Sequence, residues 1–238
     1  MEKHFISWRN RKTFCIFEKI ISVGKIEKFF AWRIELTEIF DQKISLEKPK
    51  QVLELGAGYS VRGFKACLRD ENLVYIDADL PKVITRKEKT LKKICRKNKI
   101  AFPGNYHLVC LDVLKDDIFE KVEPFVLGKN KTLVLAEGLT LYFTEKDFGI
   151  FLVNIGRFLA KTSSSEFYSH EWIKKPNNAF YCLLLRFFLR LVSGSKIRKS
   201  KKTVKEFEEY LRARGLSDVK IYDIHSKFTF YSIFKAKK

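Results

Sequence analysis

Residues 52–64 read VLELGAGYSVRGF, an apolar run that ends in a glycine-rich loop. A loop that follows a parallel strand and opens a helix presents backbone N–H groups, and glycine lets a ligand approach them closely. Three readings compete for it. A dinucleotide site spaces its glycines G-x-G-x-x-G, whereas Gly56 and Gly58 are followed by Tyr59, Ser60, Val61 and Arg62 before Gly63. A phosphate-binding P-loop ends in Gly-Lys-Ser/Thr, which Arg62, Gly63 and Phe64 do not supply. The third is an adenosyl amino acid, and the acidic residues downstream suit it. Asp77 or Asp79, Asp112 and Glu137 each fall near the end of the next three apolar runs. Ligands of open α/β sheets sit at those carboxyl ends. Acceptors there match a ligand with hydroxyls, an exocyclic amine and a cationic sulfur, which S-adenosylmethionine combines. Any one of these acids alone is an ordinary turn former or helix cap. Three in register behind a glycine loop favour a binding site.

The elements that must position them follow an alternation of apolar runs and charged, helix-like stretches from residue 50 onward, the pattern of a parallel sheet with crossover helices. Strands are expected at QVLELG, LVYIDAD, YHLVCLD, TLVLAEG, SEFYSH, DVKIYDI and FTFYSIFKA. Helices are expected at about 62–70, 82–98, 145–160 and 204–214, the last with a Thr203/Glu206 capping box and Gly215 after its final turn. Upstream, Phe14, Phe17 and Ile21, then Phe29, Phe30 and Ile34, recur at helical spacing and predict two helices over the sheet. Residues 171–203 interrupt the alternation as an insertion placed to cover a site. It carries AFYCLLLRFFLRLV (179–192) and the basic run KIRKSKK.

LELGAGYSVRG, YIDADLPKVITRK, LDVLKDD and LVLAEGLTLYFTEKD occur in an order and spacing that resembles the leucine carboxyl methyltransferase-like family of S-adenosylmethionine-dependent O-methyltransferases, over roughly residues 30–160. The Asp79–Lys87 and Ala136–Thr144 elements are the distinctive ones. The resemblance implies a class I methyltransferase of the α/β class: a Rossmann-like, seven-stranded, mostly parallel sheet with an antiparallel last strand and helices on both faces. The chain is expected to divide into a helical cap over residues 1–48 and a cofactor-binding domain over 49–238, with a lid insertion at 171–203. Residue by residue, Gly56 and Gly58 resemble the cofactor-loop glycines, with Glu54 in the strand before them. Asp79 resembles the ribose-holding acid, with Asp77 its neighbour. Asp112 and Val113 resemble the pair that meets the adenine, Glu137 the glutamate beside the cofactor, and Arg33 the arginine for its carboxylate, a bidentate task that guanidinium suits. The chain departs from the family where Asp-Thr/Ser-Arg often follows the glycines, since here Ser60, Val61 and Arg62 stand there.

Methyl transfer from a sulfonium is an in-line displacement, so alignment and desolvation are the protein's main tasks and no metal is implied. A hydroxyl acceptor also needs a base. His170, in FYSHEW, is the positional candidate for a catalytic role, with Tyr142 as a second polar group; His4, His107 and His225 are less well placed.

With 238 residues, 46% hydrophobic and 22 Phe, the chain can bury enough apolar surface to fold as one domain with an appendage, which argues against global disorder. Cys15, Cys67, Cys95, Cys110 and Cys182 form no CxxC pair, so neither zinc nor a disulfide framework is expected, and a cytoplasmic setting fits. Residues 179–192 are too short to span a bilayer and carry Arg186 and Arg190. The net charge of +19 attracts nucleic acid, anionic lipid or acidic ligands. Expected partners are a small-molecule or carboxylate methyl acceptor and weak electrostatic contacts with nucleic acid or anionic membrane, with no obligate protein partner. The alternatives are a nucleic-acid methyltransferase, against which the missing N/D-P-P-Y/F element speaks, and a non-catalytic cofactor-binding or membrane-surface protein of the same fold.

Overall fold

The computed structural model describes residues 27–126, 130–162, 165–171, 203–225 and 230–237. Strands β1 (Gln51–Leu55), β2 (Val74–Asp79), β3 (Tyr106–Cys110), β4 (Thr132–Ala136) and β5 (Glu166–Glu171) pair in parallel. Strands β1, β4 and β5 are buried at every position, as strands covered on both faces must be. The last two strands, β6 (Ser217–His225) and β7 (Phe230–Lys237), complete a seven-stranded sheet of order β3-β2-β1-β4-β5-β7-β6. Strand β7 runs antiparallel to both of its neighbours. The seven expected strands and the antiparallel last strand are all present. The order reverses between β1 and β4, so the crevice at their carboxyl ends is the topological switch point.

Alternate residues of a strand face opposite sides, and the core divides accordingly. Val52 belongs to a cluster with Phe40, Phe64, Leu91 and Ile94, which covers one face with helices α1 (Glu27–Glu47), α2 (Arg62–Cys67) and α3 (Pro81–Asn98). Leu53 belongs to the other, with Ile118, Phe148, Phe151 and Phe207 from α4 (Ile118–Val122), α5 (Glu145–Lys161) and α6 (Val204–Arg212). On this second face the phenylalanines form a continuous path. Phe151 meets Phe167 edge-on at 5.8 Å, Phe167 meets Phe234 at 5.5 Å, and Phe234 meets Phe207 at 5.4 Å, joining α5, β5, β7 and α6.

The helix ends follow local chemistry. Thr203 and Glu206 form the expected capping box, and Gly215 takes a φ of 82° after the last turn. Thr144 and Asp147 form a second one at the start of α5. Helix α2 ends at Cys67, three residues short of expectation. Of the two N-terminal helices, the second is α1. The first, with Phe14, Phe17 and Ile21, lies outside the described residues, as do His4, Cys15, Cys182 and nearly all of the 171–203 insertion with its apolar and basic segments. Among the described residues no helix is long and apolar enough to cross a membrane and no cluster could hold a metal ion.

Candidate functional site

The sheet order converts sequence spacing into a row. Reading along the carboxyl ends of β3, β2, β1 and β4 gives Asp112, Asp79, the glycine loop and Glu137, on adjacent strands about 5 Å apart. The loop bends because Gly56 and Gly58 adopt φ values of 67° and 51°, a region costly for residues with a Cβ. Their reasons differ. A Cβ at Gly56 would lie 2.8 Å from the Leu139 side chain, whereas one at Gly58 would meet nothing closer than 3.9 Å. Gly58 thus lines open space. Gly63 opens no ligand space at all, since its Cβ would stand 2.4 Å from the Tyr75 ring, so this glycine lets α2 press onto β2.

Asp79 is the loop's partner. Its Oδ2 accepts the Gly58 N–H at 2.7 Å and its Oδ1 accepts the Leu80 N–H at 2.7 Å. Burial pushes its carboxyl above the usual aspartate range, against the pull of those two N–H groups. Just past β3, Asp112 Oδ1 accepts the Leu114 N–H at 3.1 Å and Oδ2 pairs with Lys115 at 3.0 Å; Val113 beside it is buried. Asp79 therefore ends β2 and Asp112 lies two residues past β3, both partly exposed.

Behind the row lies a buried ionic layer that sequence reasoning did not find. Glu54 and Asp77 sit opposite each other in register on β1 and β2, two carboxylates on one face of the sheet. Each has its own cation and its own tyrosine. Arg62 Nη1 donates to Glu54 Oε1 at 2.9 Å, and the Tyr75 hydroxyl donates to Glu54 Oε2 at 2.5 Å. Lys87 Nζ lies 2.6 Å from Asp77 Oδ2, which also accepts the Tyr106 hydroxyl. Burial pushes the Glu54 carboxyl up to about 7, the Arg62 charge opposing. Glu54 and Asp77, expected as cofactor contacts, are 3% and 0% exposed and engage this layer. Lys87 also reaches Ala57 O at 3.5 Å, so it supports the glycine loop from below.

Arg62 does more than neutralise Glu54. Its Nε donates to Asp41 of α1 at 2.5 Å and its Nη2 to Glu137 just after β4, while the Thr37 hydroxyl of α1 donates to the other Glu137 oxygen at 2.9 Å. One guanidinium fork thereby joins α1, β1 and β4 at the switch point, a task for five fixed donors. The side chain of Arg33, earlier in α1, lies outside the described residues.

His170 is fully buried near the end of β5. Its Nδ1 accepts the Gly138 N–H at 3.2 Å, which fixes its proton on Nε2, and its carbonyl accepts the Thr140 hydroxyl at 3.0 Å. The ring holds the turn after β4. Tyr142, in the short turn Thr140–Tyr142, is 41% exposed. His107 lies away from the row, stacked on Phe125 at 4.6 Å, and the side chain of His225 is outside the described residues.

Two signals could have pointed to the ionic layer. Arg62, read only as a departure from a motif, opens a helix behind the glycines. Lys87 falls on the same side of α3 as Ile84, Leu91 and Ile94, the apolar stripe where a lysine needs a buried partner.

Comparison with known proteins agrees with this geometry. The family model described as leucine carboxyl methyltransferase matches residues 6–155. No curated protein matches the sequence. Among solved structures, the chain is similar to PigF with S-adenosylhomocysteine (TM-score 0.59, 16% identity, 81% of this chain and 51% of that one). It is similar to magnesium protoporphyrin IX methyltransferase from Synechocystis with bound S-adenosylhomocysteine (TM-score 0.56, 9% identity, 86% of this chain and 82% of that one). It is also similar to human N-acetylserotonin methyltransferase in complex with S-adenosylmethionine (TM-score 0.51, 14% identity, 80% of this chain and 48% of that one). The chain spans about half the length of PigF and of the human enzyme. At these identities the likeness is one of fold.

Proposed function

Since the chain belongs to the leucine carboxyl methyltransferase family, a family of S-adenosylmethionine-dependent methyltransferases, we propose that it methylates an oxygen of a small molecule, with a carboxylate the acceptor that its site suits best. The observation that carries this reading is the pairing of Gly58 with Asp79, which places an open, positive-φ loop and a carboxylate side by side at the switch point.

S-adenosylmethionine supplies an electrophilic methyl group on a sulfonium. Asp79 would hold the ribose hydroxyls, exchanging the Gly58 and Leu80 N–H groups for them or sharing its lone pairs. Asp112 and Val113 would meet the adenine, one as acceptor and one as apolar wall. Gly56 and Gly58 would leave space for the amino-acid end, and Glu137, already fixed by Arg62 and Thr37, would set its direction. Because Thr37 and Asp41 reach these groups from α1, we read that helix, within the expected cap, as tied to the site.

The preference for a carboxylate rests on His170. Its basic lone pair on Nδ1 is engaged by Gly138 N–H, so the ring is poorly placed to take a proton from a hydroxyl. A carboxylate is already ionised at neutral pH and needs no base. Its oxygen lone pair forms the new C–O bond as the S–C bond breaks, releasing S-adenosylhomocysteine and no proton.

The test is transfer of a radiolabelled methyl group to panels of carboxylic acids, phenols and alcohols, and nucleic acids. Label that is released as methanol in mild base marks a methyl ester, as expected. Base-stable label would move the acceptor to a hydroxyl, and label in nucleic acid alone would overturn the reading.

A further inference from the structure

Helix α3 carries a second surface that methyl transfer does not use. Its buried side is set by Ile84, Leu91, Ile94 and Cys95. At 100° per residue the opposite side carries Lys82, Arg86, Lys89, Lys93, Arg96 and Lys97, all exposed. They form a crest roughly 22 Å long at 1.5 Å per residue. The helix has one acidic residue, Glu88, and it pairs with Lys92 at 2.6 Å. Among the described residues none of the six crest cations has a salt-bridge partner; Arg86 lies over the Tyr59 ring at 5.8 Å. Like charges three and four apart on a helix repel, so the crest works against its own helix unless an anionic surface neutralises it.

We propose that the α3 crest docks the protein on an anionic lipid surface. The crest lies along the outer side of one helix, so its six exposed cations share one face, whereas a single nucleic-acid strand is usually held in a groove. No exposed residue of α3 is aromatic, so the stacking platform typical of single-strand binding is missing. At either end of the helix an aliphatic side chain is exposed instead, Leu80 at 49% and Ile100 at 39%. Clusters of four to eight basic residues on a helix bind acidic headgroups in this way. The helix begins beside Asp79 at the β2 edge of the site, and β4 and β5 lie farther along the sheet.

The experiment is co-sedimentation of the full chain with vesicles of phosphatidylcholine alone and of phosphatidylcholine with phosphatidylserine, at low and physiological ionic strength. It compares wild type, the triple variant Lys89→Gln/Lys93→Gln/Arg96→Gln, and a charge-matched control, Lys121→Gln/Lys146→Gln/Lys205→Gln, on helices of the opposite face. Single-stranded RNA and duplex DNA serve as competitors, and thermal midpoints confirm that all three proteins fold. Binding should require phosphatidylserine, weaken with salt, and fall about tenfold or more in the α3 variant but not in the control. Equal loss in both variants would reduce the effect to net charge and overturn the assignment. So would absence of phosphatidylserine-dependent binding, or tighter binding of nucleic acid that the α3 variant abolishes.

Discussion

Gly58 donates its backbone N–H to Asp79 Oδ2 across the carboxyl ends of β1 and β2 at 2.7 Å. The bond joins the two motifs to which we assign the cofactor, and it does so at the kind of residue whose backbone turns there without a steric penalty. Replacing Gly58 with Ala should cost about 1 kcal/mol of stability from its positive φ and weaken S-adenosylhomocysteine binding, because the methyl enters open space on the ligand side. Gly63→Ala should do the reverse. Its Cβ would collide with Tyr75, so stability should drop by about 1–3 kcal/mol, while the protein that remains folded keeps its affinity. Denaturant titration and calorimetry on both variants separate the two effects.

Arg62 joins three carboxylates, and removing it strands them. Arg62→Met should destabilise by about 3–5 kcal/mol, since Glu54 is buried and loses its cation. Arg62→Lys should recover part of the stability and little of the activity, because one ammonium cannot serve Asp41, Glu54 and Glu137 at fixed angles. Urea midpoints and kcat measured side by side check the split.

Lys87 and Asp77 form a fully buried ion pair. Lys87→Met alone should lower stability by about 3–5 kcal/mol, whereas Lys87→Met with Asp77→Asn should cost clearly less, because the second change removes the unpaired charge. A double-mutant cycle in denaturant measures the coupling. Additive losses would mean that the pair does not act as a unit.

Two buried glutamates give opposite pH dependences. For Glu166 burial opposes ionisation, but Lys235, Lys237 and Lys131 hydrogen-bond to it and hold its carboxyl down to about 2. A depressed folded value means that the native state binds fewer protons, so this stability is present above the unfolded value of 4.5 and lost as pH falls toward 2. Glu166→Gln should flatten that part of the acid-unfolding profile, by on the order of 2 kcal/mol because Lys131 and Lys237 are partly exposed. Glu54, raised to about 7 by burial, works the other way: its contribution is full below 4.5 and lost as pH rises through 7. Glu54→Gln should therefore lessen the decline of stability between those values, measured by thermal midpoints across pH.

The sheet was legible because its strands are short apolar runs bounded by turns, and the capping residues Thr203 and Glu206 announced α6. The row of Gly58, Asp79, Asp112 and Glu137 was legible for a related reason: a parallel sheet brings the carboxyl ends of its strands to one edge, so residues that end successive strands share that edge. The ionic layer was not. Glu54, Arg62, Asp77 and Lys87 come from four elements, and their pairing depends on which face each side chain takes and on how α2 and α3 lie over the sheet. Asp77 shows the difficulty most plainly. Two residues from Asp79 on the same strand face, it has the same chemistry, yet it lies one turn of the pleat deeper and meets Lys87 instead of the crevice.

The most direct measurement is titration calorimetry of S-adenosylhomocysteine into wild type and Asp79→Ala, with NAD as control ligand. Wild type should bind S-adenosylhomocysteine and not NAD, and the variant should bind about 10–100-fold more weakly, the loss of hydrogen bonds to a charged acceptor. Equal affinity in the two proteins, or no binding by wild type, would contradict the assignment of this crevice to the cofactor.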